Sequence, residues 1–175
     1  LSTAQIDSVP TIVICGQLVT WMLGKDAFPE ADIFGITIPV VKHNYLVKKT
    51  NDLPRIAREA FHIATTGRPG AVLIDIPKDI SSAPFTGNLK KQEEFNLPGY
   101  NPEVAFELEE SALDKAVKLI KRAKQPLILA GQGCMISNAH DELLEFATKI
   151  DSPVTNTLLG KGVISETHEL SLGML

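Results

Sequence analysis

Two cations flank a short apolar run in the segment Gly67–Lys78, which reads Gly-Arg-Pro-Gly-Ala-Val-Leu-Ile-Asp-Ile-Pro-Lys. Arg68 lies in the turn before this predicted strand. A guanidinium there can hold a phosphate through two hydrogen bonds, stack on a ring, or satisfy the carbonyls of a helix end. Lys78 follows the strand, at the carboxyl edge where open α/β sheets bind their ligands. Lys78 can therefore face an anionic substrate or be an ordinary solvated lysine.

A glycine pair marks a second candidate site, Gly131-Gln132-Gly133, between an apolar run and a predicted helix. Glycine permits close backbone approach, so these amides could face a diphosphate. The GxGxxG fingerprint is incomplete because Ile136 occupies the third glycine position, and a plain tight turn is the alternative. The stretch Thr157-Leu158-Leu159 follows the next predicted strand. Two loops at the same sheet edge favour a ligand crevice there.

Other residues could take part in catalysis or binding, but a purely structural role is at least as plausible for each of them. Lys42-His43 could act as a catalytic pair, although a lone histidine between extended segments is more often a hydrogen-bonded structural residue. Trp21 and Phe28 either line an apolar pocket entrance or pack their own loop. The sequence contains no phosphate-binding P-loop, no Ser/His/Asp order and no metal-ligand spacing. We therefore find no complete active site encoded in this chain.

The elements that must position these residues follow an α/β order. The apolar runs 10–16 and 71–76 predict strands, the first of them buried on both faces. A helix that starts at Asn51-Asp52 and ends at Gly67 separates them, which implies parallel pairing. A second unit is expected from a helix with an approximate capping box at Ser111 and Asp114. It continues with a strand over 126–130, a helix capped by Ser137 or Asn138, and a strand from 153.

The region between these units is rich in proline, glycine and asparagine and has no apolar period. We therefore predict an α/β fold of parallel-sheet, three-layer units, with a first domain at 1–82, a linker at 83–107 and a second domain at 108–175. The first residue is Leu1 rather than Met and the last residues are apolar. From these ends we expect an internal piece of a longer protein.

Composition excludes several classes of function. The formal charge is −4 and the basic residues are scattered, so nucleic acid is not an expected partner. No apolar run approaches the ~20 residues of a membrane span. The two cysteines have no CxxC spacing, which argues against zinc and for a reducing cytosol.

Four sequence blocks carry a resemblance to a known family. They are Gly24-Lys-Asp-Ala-Phe28, Lys42-His-Asn-Tyr-Leu-Val47, Ala64-Thr-Thr-Gly-Arg-Pro-Gly70 and Asp75-Ile-Pro-Lys-Asp79. On these blocks the chain resembles the catalytic subunit of acetolactate synthase (acetohydroxyacid synthase), a thiamine-diphosphate enzyme family that also binds Mg²⁺ and FAD. The resemblance implies a transferase that condenses two pyruvates, or pyruvate with 2-ketobutyrate, with CO₂ release, in branched-chain amino-acid biosynthesis. It also implies a cytoplasmic bacterial homodimer or tetramer with a small regulatory subunit.

Two alternatives remain beside this family. One is another thiamine-diphosphate enzyme, a pyruvate oxidase or a carboligase. The other is a non-catalytic nucleotide-binding module. The sequence that follows Leu175 would distinguish the first alternative from an acetolactate synthase. The second alternative predicts that the chain is a complete domain that unfolds cooperatively.

The resemblance also assigns domains and site residues. It makes 1–82 the end of a pyrimidine-binding domain and 108–175 the first half of a central, Rossmann-like FAD-binding domain. The family's catalytic glutamate would lie before Leu1 and its metal–diphosphate motif after Leu175, so the isolated chain is expected to be inactive and to bind no metal. The residues implied to contact FAD, a structural cofactor here, are Arg68, Gly131, Gln132, Gly133, Thr157, Leu158 and Leu159. Phe28 and Lys78 are implied to line the substrate channel. The family pattern has a small residue where this chain has Gln132, and a glutamine where it has Pro29.

Overall fold

The computed structural model describes residues 1–25, 30–89, 97–100 and 108–175. The chain divides into two compact units, Leu1–Ala105 and Phe106–Leu175. Each unit contains a three-stranded sheet whose strands are all parallel. The predicted α/β class with parallel sheets is therefore confirmed.

The first unit has the strand order β1-β3-β2, with β3 in the centre. Its elements are α1 (Ser2–Ile6), β1 (Thr11–Gln17), α2 (Ile33–Thr37), β2 (His43–Leu46), α3 (Leu53–Thr65), β3 (Ala71–Pro77) and α4 (Lys78–Ser82), with 3₁₀ turns at Thr20–Met22, Ile38–Val40 and Thr50–Asp52. Because all three strands run in the same direction, their carboxyl ends at Gln17, Leu46 and Pro77 lie at one edge of the sheet.

The sequence signals around α3 and β3 match the structure closely. Proline is tolerated in the first turn of α3, where Pro54 lies, and the chain leaves the helix through Gly67 at φ +63°. One face of α3 packs on β3 in a core that includes Ile63 and Val72. Strand β3 is buried along almost its whole length, as the apolar run predicts.

The prediction that β1 is buried on both faces is wrong. β1 lies at the sheet edge, and the core of the unit reaches only its beginning. Ile12 packs against the core, whereas Ile14 is 67% exposed and Cys15 is half-buried. An apolar run indicates that a strand is suited to burial, but the tertiary fold decides whether other elements cover both of its faces.

The second unit has the strand order β4-β5-β6. Its elements are α5 (Glu110–Arg122), β4 (Ile128–Ala130), α6 (Gln132–Ile136), α7 (His140–Ile150), β5 (Val154–Asn156) and β6 (Ser171–Met174), with a 3₁₀ turn at Leu158–Gly160. Strand β6 was not predicted, because Ser171–Met174 is short and contains Gly173. The core of this unit includes Ala130, Ala147 and Val154.

Three local predictions for the second unit are corrected. The helix α5 starts at Glu110 with Glu109 as its N-cap and no side-chain cap, so Ser111 lies inside the first turn and forms no capping box. The helix α7 starts at His140 after Ala139, not at a Ser137 or Asn138 cap. The cause is α6: the chain becomes helical directly at Gln132, and Asn138, at φ +54°, connects the two helices.

The predicted linker 83–107 is described only over 83–89 and 97–100, where it forms no helix or strand. Its described part is not a detached tether. Leu97 and Tyr100 pack against the core of the first unit, and the Tyr100 carbonyl lies 2.6 Å from His62 Nε2. The assignment of the two units to particular domains stays a prediction at this point.

Candidate functional site

An open groove of about 580 Å³ lies at the carboxyl edge of the first sheet. Lys78 is exposed at the start of α4, directly after the end of β3. It lines the groove together with the carboxyl end of β1, the chain that follows β1, and the rest of α4; the lining residues are Gly16, Gln17, Leu18, Val19, Met22, Ile76, Lys78 and Ser81. Lys78 thus occupies the edge where the sequence placed it, at a largely apolar concavity that can take a small anion.

A buried carboxylate, that of Asp75, lies two residues before the end of β3. Asp75 on β3 is 1% exposed, and its Oδ2 accepts a hydrogen bond from Gln17 Nε2 at 3.2 Å. Its Oδ1 is buried without a hydrogen-bond partner. Burial raises the pKa of Asp75, and the Gln17 bond opposes that shift only in part. Sequence reasoning missed this pair, since Gln17 and Asp75 are 58 residues apart; the one available signal is an aspartate inside an apolar strand.

Arg68 is engaged by the first unit itself. Its Nε donates to Ser8 Oγ at 2.7 Å, and its Nη2 donates to the Ile6 carbonyl, the last residue of α1, at 2.6 Å. Arg68 therefore satisfies the carbonyl of a helix end, which was one of the alternatives that the sequence left open. The helix is α1 rather than α3. The role of Arg68 toward FAD stays a prediction.

Lys42 and His43 do not form a catalytic pair. The Lys42 ammonium donates to the Ile63 carbonyl and, at 2.7 Å, to the Thr66 carbonyl, and so caps the end of α3. The His43 ring points elsewhere, edge-on against Tyr45 with ring centroids 4.5 Å apart. Lys42 therefore has a structural role in this fold, whereas His43 is exposed and packs against Tyr45. Of the predicted pocket-entrance aromatics, Trp21 is 67% exposed and Phe28 lies outside the described residues.

The two predicted loops of the second unit meet at the carboxyl edge of its sheet. Gly131 follows β4 and is the N-cap of α6, and Thr157 follows the neighbouring strand β5. The Thr157 amide donates to the Ala130 carbonyl at 3.0 Å. A Cβ added to Gly131 would lie 3.9 Å from Thr157 Oγ1. The glycine turn and the 157–159 stretch are therefore direct neighbours.

Close packing fixes the shape of this edge. Thr157 Oγ1 accepts from the Gly160 amide at 3.2 Å, which closes the 3₁₀ turn. Gly160 is buried against the end of β4, where any side chain would collide with backbone. Gly133, by contrast, is exposed and has no atom within 4 Å of a built Cβ. Leu158 is 71% exposed and Leu159 is 41% exposed. The result is a rigid edge with an open, side-chain-free backbone surface at Gly133.

Within the part of the chain that the structure describes, no group of three or more His, Cys, Asp or Glu side chains is arranged to bind a metal ion. No helix in the same residues is long and apolar enough to cross a membrane.

Comparison with known proteins shows which class of protein this chain resembles. Residues 113–175 match the family described as thiamine pyrophosphate enzyme, central domain. The chain also superimposes on the crystal structure of an enzyme from Mycobacterium smegmatis assigned as thiamin diphosphate-dependent. That match has a TM-score of 0.73 and 26% identity, and covers 99% of this chain and 32% of the other. Residues 113–175 thus resemble the central domain of thiamine pyrophosphate enzymes, and the fold of the chain is similar to part of a thiamin diphosphate-dependent enzyme.

Relatives along the whole length narrow this class. An acetolactate synthase from Arthrospira platensis is 46% identical over 175 residues, which are all of this chain and 30% of that protein. An acetolactate synthase large subunit from Corynebacterium glutamicum is 45% identical over 174 residues, 99% of this chain and 27% of that protein. The chain is similar along its whole length to acetolactate synthases, and it spans about 30% of the length of these relatives.

Proposed function

We propose that the protein containing this chain is an acetolactate synthase. It would condense two pyruvates, or pyruvate and 2-ketobutyrate, to acetohydroxy acids with release of CO₂, as a transferase of branched-chain amino-acid biosynthesis. The observation that carries the proposal is the 46% identity that runs through the whole chain. A cytoplasmic location and a regulatory small subunit belong to the same proposal.

The groove of the first unit supplies what a ketoacid needs from this chain. A 2-ketoacid is a small anion with an apolar tail. Lys78 offers a cation, and Val19 and Met22 offer apolar wall. Lys78 would orient the carboxylate by charge, which is an electrostatic and positioning role rather than proton transfer. Phe28 would complete the channel, as the family resemblance implies.

The second unit fits a dinucleotide diphosphate. A diphosphate needs close backbone approach, and the open Gly133 surface permits it beside Gly131. The N–H of Gly133 lies in the first turn of α6, where backbone N–H groups have no acceptor within the helix. Thr157, Leu158 and Leu159 would line the neighbouring part of the crevice. We therefore assign FAD to this edge, as a structural cofactor, with Gln132 as a further contact. A role of Arg68 toward FAD is proposed from the family resemblance alone.

Thiamine diphosphate, held with Mg²⁺, supplies the electron sink that ketoacid decarboxylation requires. The family resemblance places the residues that hold both outside this chain. We accordingly assign neither group to residues of this chain, and the isolated chain is expected to form no product.

The test is acetolactate formation from pyruvate by the full-length protein that contains this chain, with thiamine diphosphate, Mg²⁺ and FAD added. Lys78→Ala should raise the KM for pyruvate, whereas Lys25→Ala, also an exposed lysine, should not. A pyruvate oxidase would instead release acetate or acetyl phosphate and reduce an acceptor. Absence of acetolactate from the folded, cofactor-loaded protein would disprove the synthase proposal.

A further inference from the structure

The wall of the groove is joined to α4 by one carboxylate. Asp79 Oδ1 accepts from the Thr20 amide at 2.9 Å, and Asp79 Oδ2 accepts from the Thr20 hydroxyl at 2.5 Å. The two residues are 59 positions apart in the chain. Thr20 lies between the groove residues Val19 and Met22, and Asp79 directly follows Lys78. The pair therefore connects the two sides of the groove.

The rest of the wall depends on this connection. The backbone leaves β1 at Gln17 and is extended at Val19, with φ −62° and ψ 145°, before the single 3₁₀ turn that begins at Thr20. At the base of the wall, Gln17 Oε1 accepts from the Leu18 amide at 2.9 Å. An extended segment with one short turn has little internal stability, so its position is set by side-chain contacts such as that of Asp79.

The same contact decides what Lys78 can bind. Both oxygens of Asp79 accept a hydrogen bond from Thr20. The Thr20 hydroxyl, followed by the backbone amides of Thr20, Asp79 and Ile80, lowers the pKa of the carboxyl, which is therefore ionised at neutral pH. Among the described residues, Lys78 has no carboxylate partner. A carboxylate freed next to Lys78 would compete with any anionic ligand for the ammonium group.

We propose that Thr20 and Asp79 form a clasp that positions the Val19–Met22 wall opposite Lys78 and keeps the Asp79 carboxylate away from the Lys78 ammonium. Thr20 and Asp79 are then positioning residues for the anionic substrate. The substrate part of this inference rests on the proposed function, whereas the clasp itself rests on the two hydrogen bonds.

The chain offers a matched control on the same helix. Thr50 Oγ1 donates a hydrogen bond at 2.9 Å to the carbonyl of Ile80, the residue that follows Asp79 in α4. Thr50 does not line the groove. Thr20→Val and Thr50→Val each replace one hydroxyl with a methyl group. Only the first removes a hydrogen bond of the clasp, that from the Thr20 hydroxyl to Asp79 Oδ2. Thr20→Ser keeps a hydroxyl at the position of the first and serves as the rescue variant.

The test measures pyruvate saturation of the full-length protein with these three variants. Thr20→Val is expected to raise KM roughly five- to tenfold with kcat within about twofold of the parent value, because the ligand is bound less well but the chemistry is unchanged. Thr20→Ser and Thr50→Val are expected to retain the parent KM. Equal KM values for Thr20→Val and Thr50→Val would overturn the inference.

A second measurement does not depend on activity. Trp21 is the sole tryptophan of the 175-residue chain and directly follows Thr20, so the part of the acrylamide quenching of the full-length protein that Trp21→Phe removes reports on the wall. Thr20→Val should increase the quenching constant, whereas Thr50→Val and Thr20→Ser should not. If the full-length protein makes no acetolactate but this pattern holds, the proposed function fails and the clasp stands. If quenching is the same in all variants, the clasp itself is refuted.

Discussion

Gly160→Ala is the substitution whose cost can be worked most directly from this structure. The added Cβ would lie 2.5 Å from the Ala130 carbonyl oxygen and 3.1 Å from two backbone atoms of Gly131. All three neighbours are backbone, so no side chain can rotate away. Ordinary contact begins at 3.4 Å, which means that the turn after β5 must move away from the end of β4 by about 0.9 Å.

Such overpacking costs about 1–3 kcal/mol of unfolding free energy, and the upper half of that range applies because the contact is with backbone. The effect should be confined to the second unit. Urea unfolding with hydrogen exchange read from peptides over 128–160 measures it there. Peptides over β3 should exchange as in the parent chain.

Gly133→Ala is the matched control. Nothing lies within 4 Å of its added Cβ, its φ is not positive, and alanine is the better helix former, so stability should stay equal or rise slightly. Equal stabilities of Gly160→Ala and Gly133→Ala would refute the close packing of the two turns, and with it the rigid edge that we assign to the cofactor.

Three further predictions concern the first unit. Leu73→Ala, at a fully buried position of the central strand, should cost about 2–5 kcal/mol in urea unfolding, and an unchanged midpoint would contradict the assigned core. Lys42→Met keeps the aliphatic stem but leaves the Ile63 and Thr66 carbonyls without their donor; we expect a loss of about 1–3 kcal/mol and faster amide exchange at the end of α3. Because burial raises the pKa of Asp75, its contribution to the free energy of unfolding is most favourable at low pH and is lost as pH rises from near 3.8 through the folded pKa. Asp75→Asn should therefore flatten this part of the stability–pH curve. Two parallel curves would contradict the burial argument.

The elements that sequence predicted well are those whose signals are local. The α3–β3 pair has a proline in its first turn, a glycine at its end and an unbroken apolar run, and its bounds follow from these residues. The convergence of the glycine turn with Thr157 follows from strand order alone, because the carboxyl ends of parallel strands share an edge.

The features that sequence did not predict depend on distant partners. The exposure of Ile14 on β1 depends on which elements cover that strand, and an apolar run does not contain that information. The clasp between Thr20 and Asp79 joins residues 59 positions apart. No spacing rule marks such a pair; only the folded chain brings it together.

The central claim about this chain is that the open backbone at Gly133 is part of an FAD site. Its most direct test is a flavin titration of the full-length protein that contains this chain, freed of bound flavin, with Gly133→Ala and with Gly16→Ala as the control. Both glycines are unstrained and have open space at the added Cβ, but Gly16 lies on the first sheet. We predict saturable FAD binding by the parent protein and by Gly16→Ala, and a loss of affinity of roughly tenfold or more in Gly133→Ala at unchanged stability, since a methyl group there blocks backbone approach. Equal FAD affinity of all three proteins, or no binding by the folded parent, would contradict the account.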